Sequence, residues 1–247
     1  MERAETAAAL IIGNELLSGK VQEANLVMLA RTLRELGIHL RRVVMVLDDL
    51  DEIAREVRAL SASHTWLFTS GGVGPTHDDV TIDAVAKAFG VPAVMSPEME
   101  AMLRAHYKER CTPGHLRMAL IPEGARLEST AEVRWPTVRM QNTWLLPGIP
   151  EVFRMKIPIV TAKIPAARSY VSRAVYTQMD EGDLKPLLDE VVAAHPEVDV
   201  GSYPKWMDES YKTKLTFDGR DESKVLAARD AFVARLPSGE PRKLDEP

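Results

Sequence analysis

Cys111 is the only cysteine among the 247 residues, so no disulfide can form within the chain and a disulfide scaffold is excluded. Also missing is any apolar run near the ~20 residues that a membrane-spanning helix needs. The opening MERAETAAALIIG holds an apolar stretch too short, and too soon followed by polar residues, for a secretory signal. Basic charge is scarce: 31 Lys and Arg stand against 36 Asp and Glu, for a net charge of −5. Such a balance offers no overall field to draw in nucleic acid or anionic lipid. Neither an internal repeat nor a low-complexity block interrupts the chain. These absences lead to the expectation of a reduced, cytoplasmic, soluble protein with no nucleic-acid and no membrane partner. What remains is ample material for a core, since 45% of residues are hydrophobic.

The first ninety residues alternate short apolar runs rich in β-branched residues with longer stretches of helical spacing. Residues 7–13, 41–47 and 65–69 read as strands; residues 24–36, 50–60 and 78–89 read as helices, the first and last followed by Gly37 and Gly90. This order predicts a mostly parallel sheet covered on both faces by helices. Right-handed crossovers would bring the loops after strands one and three, residues 13–19 and 70–79, to one sheet edge. Residues 97–109 read as a further helix, and 133–140 and 143–146 as strands. Pro158 and Pro165 bracket the expected linker between a domain of residues 1–165 and one of 166–247. The second domain reads as strand 169–178, helix 184–195, strands 198–203 and 211–217, and helix 222–236, a small α+β unit with a frayed polar tail.

Residues 69–81 read TSGGVGPTHDDVT. Gly71, Gly72 and Gly74 lie between an apolar strand and a helix, the setting in which backbone N–H groups approach an anion unobstructed by a Cβ. No Lys-Ser/Thr pair follows, so this is not a P-loop, and the glycine spacing is not the dinucleotide fingerprint. Thr76 and Asp79 also satisfy a Thr-x-x-Asp capping box, which would make them a helix start. Capping assigns no task to Asp78, and Pro75 stiffens the turn. Two adjacent carboxylates beside an anion cradle are compatible if a divalent cation lies between them and phosphate oxygens, since hard oxygen ligands suit Mg²⁺ or Mn²⁺. His77 reads as a solvent-facing residue of the first turn. On the same expected edge, GNELLSG (residues 13–19) adds Gly13 and a third carboxylate, Glu15, either a surface turn residue or a site residue; Asn25 follows as a hydrogen-bonding candidate. Pro147, Gly148 and Pro150 form a rigid turn that either starts a helix or closes a pocket. Lys87 and Arg117 are basic residues that could meet an anion, and Trp66, Trp135, Trp144 and Trp206 read as packed side chains rather than stacking platforms.

Taken together, GNELLSGKVQEAN and TSGGVGPTHDDVT resemble the molybdopterin-binding-type domain of the competence/damage-inducible protein A family, which also forms the N-terminal half of eukaryotic FAD synthases. RMALIPEGARL, VRMQNTWLLPGIPEVFR, VGSYP and YKTKLTFDGRD bring the resemblance closer to the FAD-synthase branch. It implies a three-layer α/β/α domain with a mostly parallel sheet, followed by a small α+β, KH-type-like domain. It further implies a metal-dependent diphosphatase that cleaves ADP-ribose or FAD to AMP and a second phosphate, assisted by Mg²⁺, Mn²⁺ or Co²⁺ and by K⁺. Asp78 and Asp79 would hold the metal and act with Glu15 in catalysis. Gly13, Asn25, Gly71, Gly72, Gly74, Pro75, Thr76, Thr81, Pro147 and Gly148 would line the nucleotide site. The alternative is a molybdopterin-binding or adenylylating protein without diphosphatase activity. Either reading makes a nucleotide or pterin the small-molecule partner, and a homodimer is expected. STAEVRWP (residues 129–136) departs from the family's glycine-rich turn near the ligand, and no GXXG loop occurs after residue 169.

Overall fold

Six consecutive residues, Ala7 to Ile12, are each no more than 2% exposed, so this run is covered on both faces and needs no polar alternation. It forms the second strand of the main sheet in a computed structural model that describes residues 5–166, 170–206, 210–241 and 243–245. The chain divides into two compact units, Met1–Ala167 and Arg168–Pro247.

The first unit runs β1 (Thr6–Ile12), α1 (Asn14–Leu17), α2 (Asn25–Glu35), β2 (His39–Val46), α3 (Leu50–Ser63), β3 (Trp66–Ser70) and α4 (Thr81–Phe89). It continues with β4 (Ala93–Met95), α5 (Pro97–Tyr107), α6 (Pro113–Arg117), β5 (Leu120–Pro122), β6 (Arg126–Glu128), β7 (Thr137–Met140), β8 (Thr143–Leu146) and α7 (Pro150–Lys163). The main sheet has the order β2-β1-β3-β8-β7-β6. Its first four strands are parallel, and β7 and β6 add an antiparallel margin. Alternate residues of β1 feed two cores: Ala8, Leu10 and Ile12 pack with residues of α3 and α4, whereas Ala7, Ala9 and Ile11 pack with residues of α2 and α7. The architecture is therefore the three-layer α/β/α arrangement.

The short elements α1, β4, α6, β5 and β6 were not read from the sequence, and four further differences have a local physical cause. α7 runs straight through Pro158 to Lys163 where a linker was expected. Burial of Phe153, Ile159 and Val160 outweighs the ~3 kcal/mol that an interior proline costs. The strand expected from residue 133 begins only at Thr137: Pro136 has no N–H for a ladder, and the Trp135 and Pro136 carbonyls accept hydrogen bonds from the Lys156 ammonium at 2.5 and 2.9 Å. α4 begins at Thr81 rather than Asp78, because the Thr81 N–H donates to the Gly72 carbonyl and the Thr81 hydroxyl to the Gly71 carbonyl. Last, the tail is not wholly frayed, as described next.

The second unit comprises β9 (Val171–Thr177), α8 (Glu181–Ala194), β10 (Asp199–Pro204), β11 (Thr213–Gly219), α9 (Glu222–Val233) and β12 (Lys243–Leu244). Residue 169, where its first strand was expected to start, lies outside the described residues. The sheet is antiparallel with order β10-β11-β9-β12. β12 arises from the tail because β9 would otherwise leave one edge of its ladder open; Lys243 and Leu244 pair with Tyr176 and Val175. Val175, Leu215 and Phe217 pack against Leu184, Val191, Val225 and Phe232 in a separate core.

Candidate functional site

Because β1, β2, β3 and β8 are parallel, their C-terminal ends lie along one edge, and the loops that follow them (residues 13–19, 47–49, 71–80 and 147–149) gather there. In that setting the glycines have distinct tasks. Gly71 has φ +112°, and a Cβ there would lie 2.2 Å from the Ile12 carbonyl oxygen, so only glycine lets β3 turn past the end of β1. Its N–H donates to the Leu146 carbonyl at 3.1 Å. That corrects its expected place in an anion cradle: the sheet has already used the donor. Gly72 has φ +65° and lies against the Thr81 hydroxyl. Among the described residues no acceptor meets the N–H of Gly72 or Gly74, which leaves these two donors for an anion.

Asp79 and Asp78 differ in role despite being neighbours. Asp79 Oδ2 accepts from the Thr76 N–H at 2.8 Å and from the Thr76 hydroxyl, and it packs beneath Gly74, where a Cβ would come within 2.7 Å. This is the acidic arm of a capping box, closed ahead of the helix, since Val80 and not Thr76 is the N-cap of α4. One Asp79 oxygen thus serves the turn. The Asp78 carboxyl is held below the usual carboxylate range by the Thr76 hydroxyl first and then by its own N–H, with His77 contributing. His77 is solvent-facing, 3.9 Å from Asp78, and Pro75 is exposed at the loop tip.

Glu15 folds back over Gly13, whose missing Cβ would lie 2.8 Å from Glu15 Oε1. Next to it, the loops after β1 and β2 are joined reciprocally: the Asn14 N–H donates to Asp48 Oδ2 at 2.8 Å, and the Asp48 N–H donates to Asn14 Oδ1 at 3.3 Å. Burial raises the Asp48 carboxyl pKa above its usual value, opposed by the Asn14 N–H and reinforced by the charges of Glu15, Asp78 and Asp79. Four carboxylates therefore share this edge. Asp48 escaped the sequence reading, though LDDL carried a signal: Asp49 caps α3 by accepting from the Glu52 N–H, leaving the preceding aspartate with no helical task.

Asn25 meets the end of β3 next to Gly71. It is 4% exposed; its side-chain amide donates to Ser70 Oγ at 3.0 Å and to the Gly148 carbonyl at 2.8 Å. Its own Oδ1 is buried with no partner among the described residues. Ser70 Oγ in turn donates to the Pro147 carbonyl at 3.4 Å, and a Cβ on Gly148 would sit 3.3 Å from Gly71 Cα. Asn25, Pro147 and Gly148 are thus brought against the glycine turn as its support. Thr81 is fully buried with its hydroxyl donated to Gly71, which makes it an anchor of the loop rather than a group directed at a ligand. The basic candidates are engaged elsewhere: Lys87 pairs with Asp51, and Arg117 with Asp83 at 3.6 Å. Trp144 is fully buried and Trp66 donates to Glu5, whereas Trp206 is open to solvent.

The carboxylate oxygens at this edge have the chemistry that Mg²⁺ or Mn²⁺ requires. No three His, Cys, Asp or Glu side chains among the described residues are close enough to enclose an ion. One or two carboxylates completed by substrate phosphates is the usual way Mg²⁺ is bound, and this donor set fits that mode.

Residues 8–167 match the family described as the probable molybdopterin binding domain, and residues 169–244 match the FAD synthase middle domain. Across 97% of its length the chain is 30% identical to a probable FAD synthase of Caenorhabditis elegans. It spans about half of that protein, 51%, and likewise 50% of a Caenorhabditis briggsae counterpart. A protein of Archaeoglobus fulgidus is 29% identical over 91% of this chain and 95% of its own. Among solved structures, CinA of Thermoplasma acidophilum, a protein described as of unknown function, superposes with a TM-score of 0.58 at 30% identity, covering 63% of this chain and 95% of that one.

Proposed function

Since the chain belongs to the probable molybdopterin-binding domain family through residues 8–167 and carries an FAD synthase middle domain in residues 169–244, we propose that it is a metal-dependent diphosphatase acting on FAD or ADP-ribose. The observation that carries this reading is the meeting of two unused backbone donors, Gly72 and Gly74, with the carboxylates Glu15, Asp48, Asp78 and Asp79 on one sheet edge. Donors without carboxylates would suit any anion; the two together suit an anionic substrate that arrives with a cation.

In this mechanism the N–H groups of Gly72 and Gly74 bind a phosphate oxygen of the diphosphate. Asp78 and the free oxygen of Asp79 would hold the divalent ion, Mg²⁺, Mn²⁺ or Co²⁺. Such an ion supplies Lewis-acid neutralisation of charge on the phosphoryl oxygens. Asp48 Oδ1, whose sister oxygen is fixed by the Asn14 N–H, receives the proton of the attacking water, and Glu15 orients that water. The Asn25 amide keeps the residue 147–149 turn against Gly71 and so preserves the cradle's shape.

Purified protein incubated with FAD or ADP-ribose, a divalent metal and K⁺ should release AMP together with FMN or ribose 5-phosphate, resolved by chromatography. Asp78→Asn should lower turnover about a hundredfold or more with folding intact; full turnover in that variant would remove Asp78 from the mechanism. The family's description favours a second reading, binding of molybdopterin without hydrolysis. Absence of AMP from every dinucleotide, combined with tight pterin binding, would select it.

A further inference from the structure

The sheet of the second unit packs one face against α8 and α9. Strict alternation in β11, buried at Thr213, Leu215, Phe217 and Gly219, sends Lys214, Thr216 and Asp218 to the other face. Register then sets one row across all four strands: Tyr203 of β10 opposes Lys214 of β11, Lys214 opposes Tyr176 of β9, and Tyr176 opposes Lys243 of β12. At about 4.8 Å per strand the row extends about 14 Å, alternating ring and ammonium. The Nζ atoms of Lys214 and Lys243 lie 5.6 and 5.5 Å from the centre of the Tyr176 ring, which Tyr211 meets edge-on at 4.8 Å. Tyr203 lies back along its own strand: a Cβ on Gly201 would be 2.9 Å from its ring, so glycine there lets the ring rest on the sheet. The ring is 55% exposed, and Trp206, just beyond the strand, is 95% exposed.

Charge is segregated in the same sense. α8 and its cap carry five carboxylates, Asp180, Glu181, Asp183, Asp189 and Glu190, on the helical side. On the sheet face Asp199 and Asp218 oppose each other at the far end of β10 and β11, and Asp245, 3.5 Å from the Tyr176 hydroxyl, stands near the row.

We propose that this row is a binding face for single-stranded nucleic acid, in which a base stacks on Tyr203 and successive phosphates leading away from it along the row meet Lys214 and then Lys243. An antiparallel sheet face bearing an exposed ring beside a line of cations is suited to unstacked bases. A net charge of −5 averages over the whole surface, whereas phosphates respond to the local field. The inference rests on the second unit alone and is independent of the diphosphatase reading.

The test is fluorescence anisotropy of the full chain with labelled single strands of about eight nucleotides at about 50 mM salt. Saturable binding is expected, with log affinity falling against log salt at a slope of about −1.4 for two neutralised phosphates. Tyr203→Ala should weaken binding about tenfold and Tyr203→Phe should retain it, since stacking needs the ring and not the hydroxyl. The pair Lys214→Ala and Lys243→Ala should weaken binding and flatten the salt slope, and it carries the test if Tyr203→Ala does not fold. The proposal is overturned by a lack of saturable binding, by equal affinity for a duplex of the same sequence, or by binding that all three changes leave untouched.

Discussion

Asp48 and Asp49 show how one position decides between structure and chemistry. Asp49 accepts from the Glu52 N–H and starts a helix; Asp48, one residue earlier, turns to the sheet edge, where burial and three other carboxylates push its pKa up. A folded-state value above the unfolded one means that ionisation opposes folding. This cost is absent below the usual value of 3.8 and grows as pH rises through the folded value. Asp48→Asn keeps an acceptor for the Asn14 N–H and removes the charge. Urea melts near neutral pH should therefore show the variant more stable than the wild type, with turnover in the proposed reaction reduced. The stability gain should vanish near pH 4, and a variant that is both less stable and fully active would contradict this account. Asp78 stood out as a candidate without the fold, because helix capping offered it nothing. Asp79 was ambiguous in the sequence and is ambiguous in fact: one oxygen closes the Thr76 turn and the other remains.

Among the elements, α7 and the segment before β7 explain each other. Lys156 projects from the core side of α7, between Phe153 and Ile159, and its Nζ donates to the two carbonyls of residues 135 and 136 that never enter a ladder. Burial lowers its pKa to about 8 from 10.5. The unfolded chain keeps this proton up to about 10.5 while the folded chain releases it near 8, so stability attributable to Lys156 rises with pH across that window. Relative to Lys156→Met, the wild type should gain on the order of 2 kcal/mol between about pH 7.5 and about pH 10.5, read from denaturant melts at matched ionic strength. A constant difference across the range would show that the ammonium is not desolvated. Proline punctuation misled here: Pro158 announced a break, but its neighbours Ile159 and Val160 are buried, and a helix held by packing tolerates one missing hydrogen bond. Strands behaved more legibly, because period-two burial in β11 and continuous burial in β1 are both written in residue order.

For the molecule as a whole, the two cores flanking the main sheet draw on residues before 167, and the third draws only on residues from Val171 to Leu236. A fragment of residues 166–247 should accordingly unfold in one cooperative transition by circular dichroism, whereas a gradual melt would show that its core is insufficient alone. The sequence by itself determined the alternation of strands and helices in the first ninety residues, the glycine-bounded turns and the placing of the two candidate loops on one edge, since each follows from local periodicity, turn chemistry and the handedness of crossovers. Only the tertiary structure decided which donors remain for a ligand: Gly71 and Gly72 are indistinguishable as residues until β8 takes the Gly71 N–H. It alone brought Asp48 to Glu15, Asp78 and Asp79, and it alone aligned Tyr203, Lys214, Tyr176 and Lys243 in one row. The physical reason is common to all three. A hydrogen-bond partner, a neighbouring charge and a strand register are contacts between segments far apart in the chain, and no local pattern specifies them.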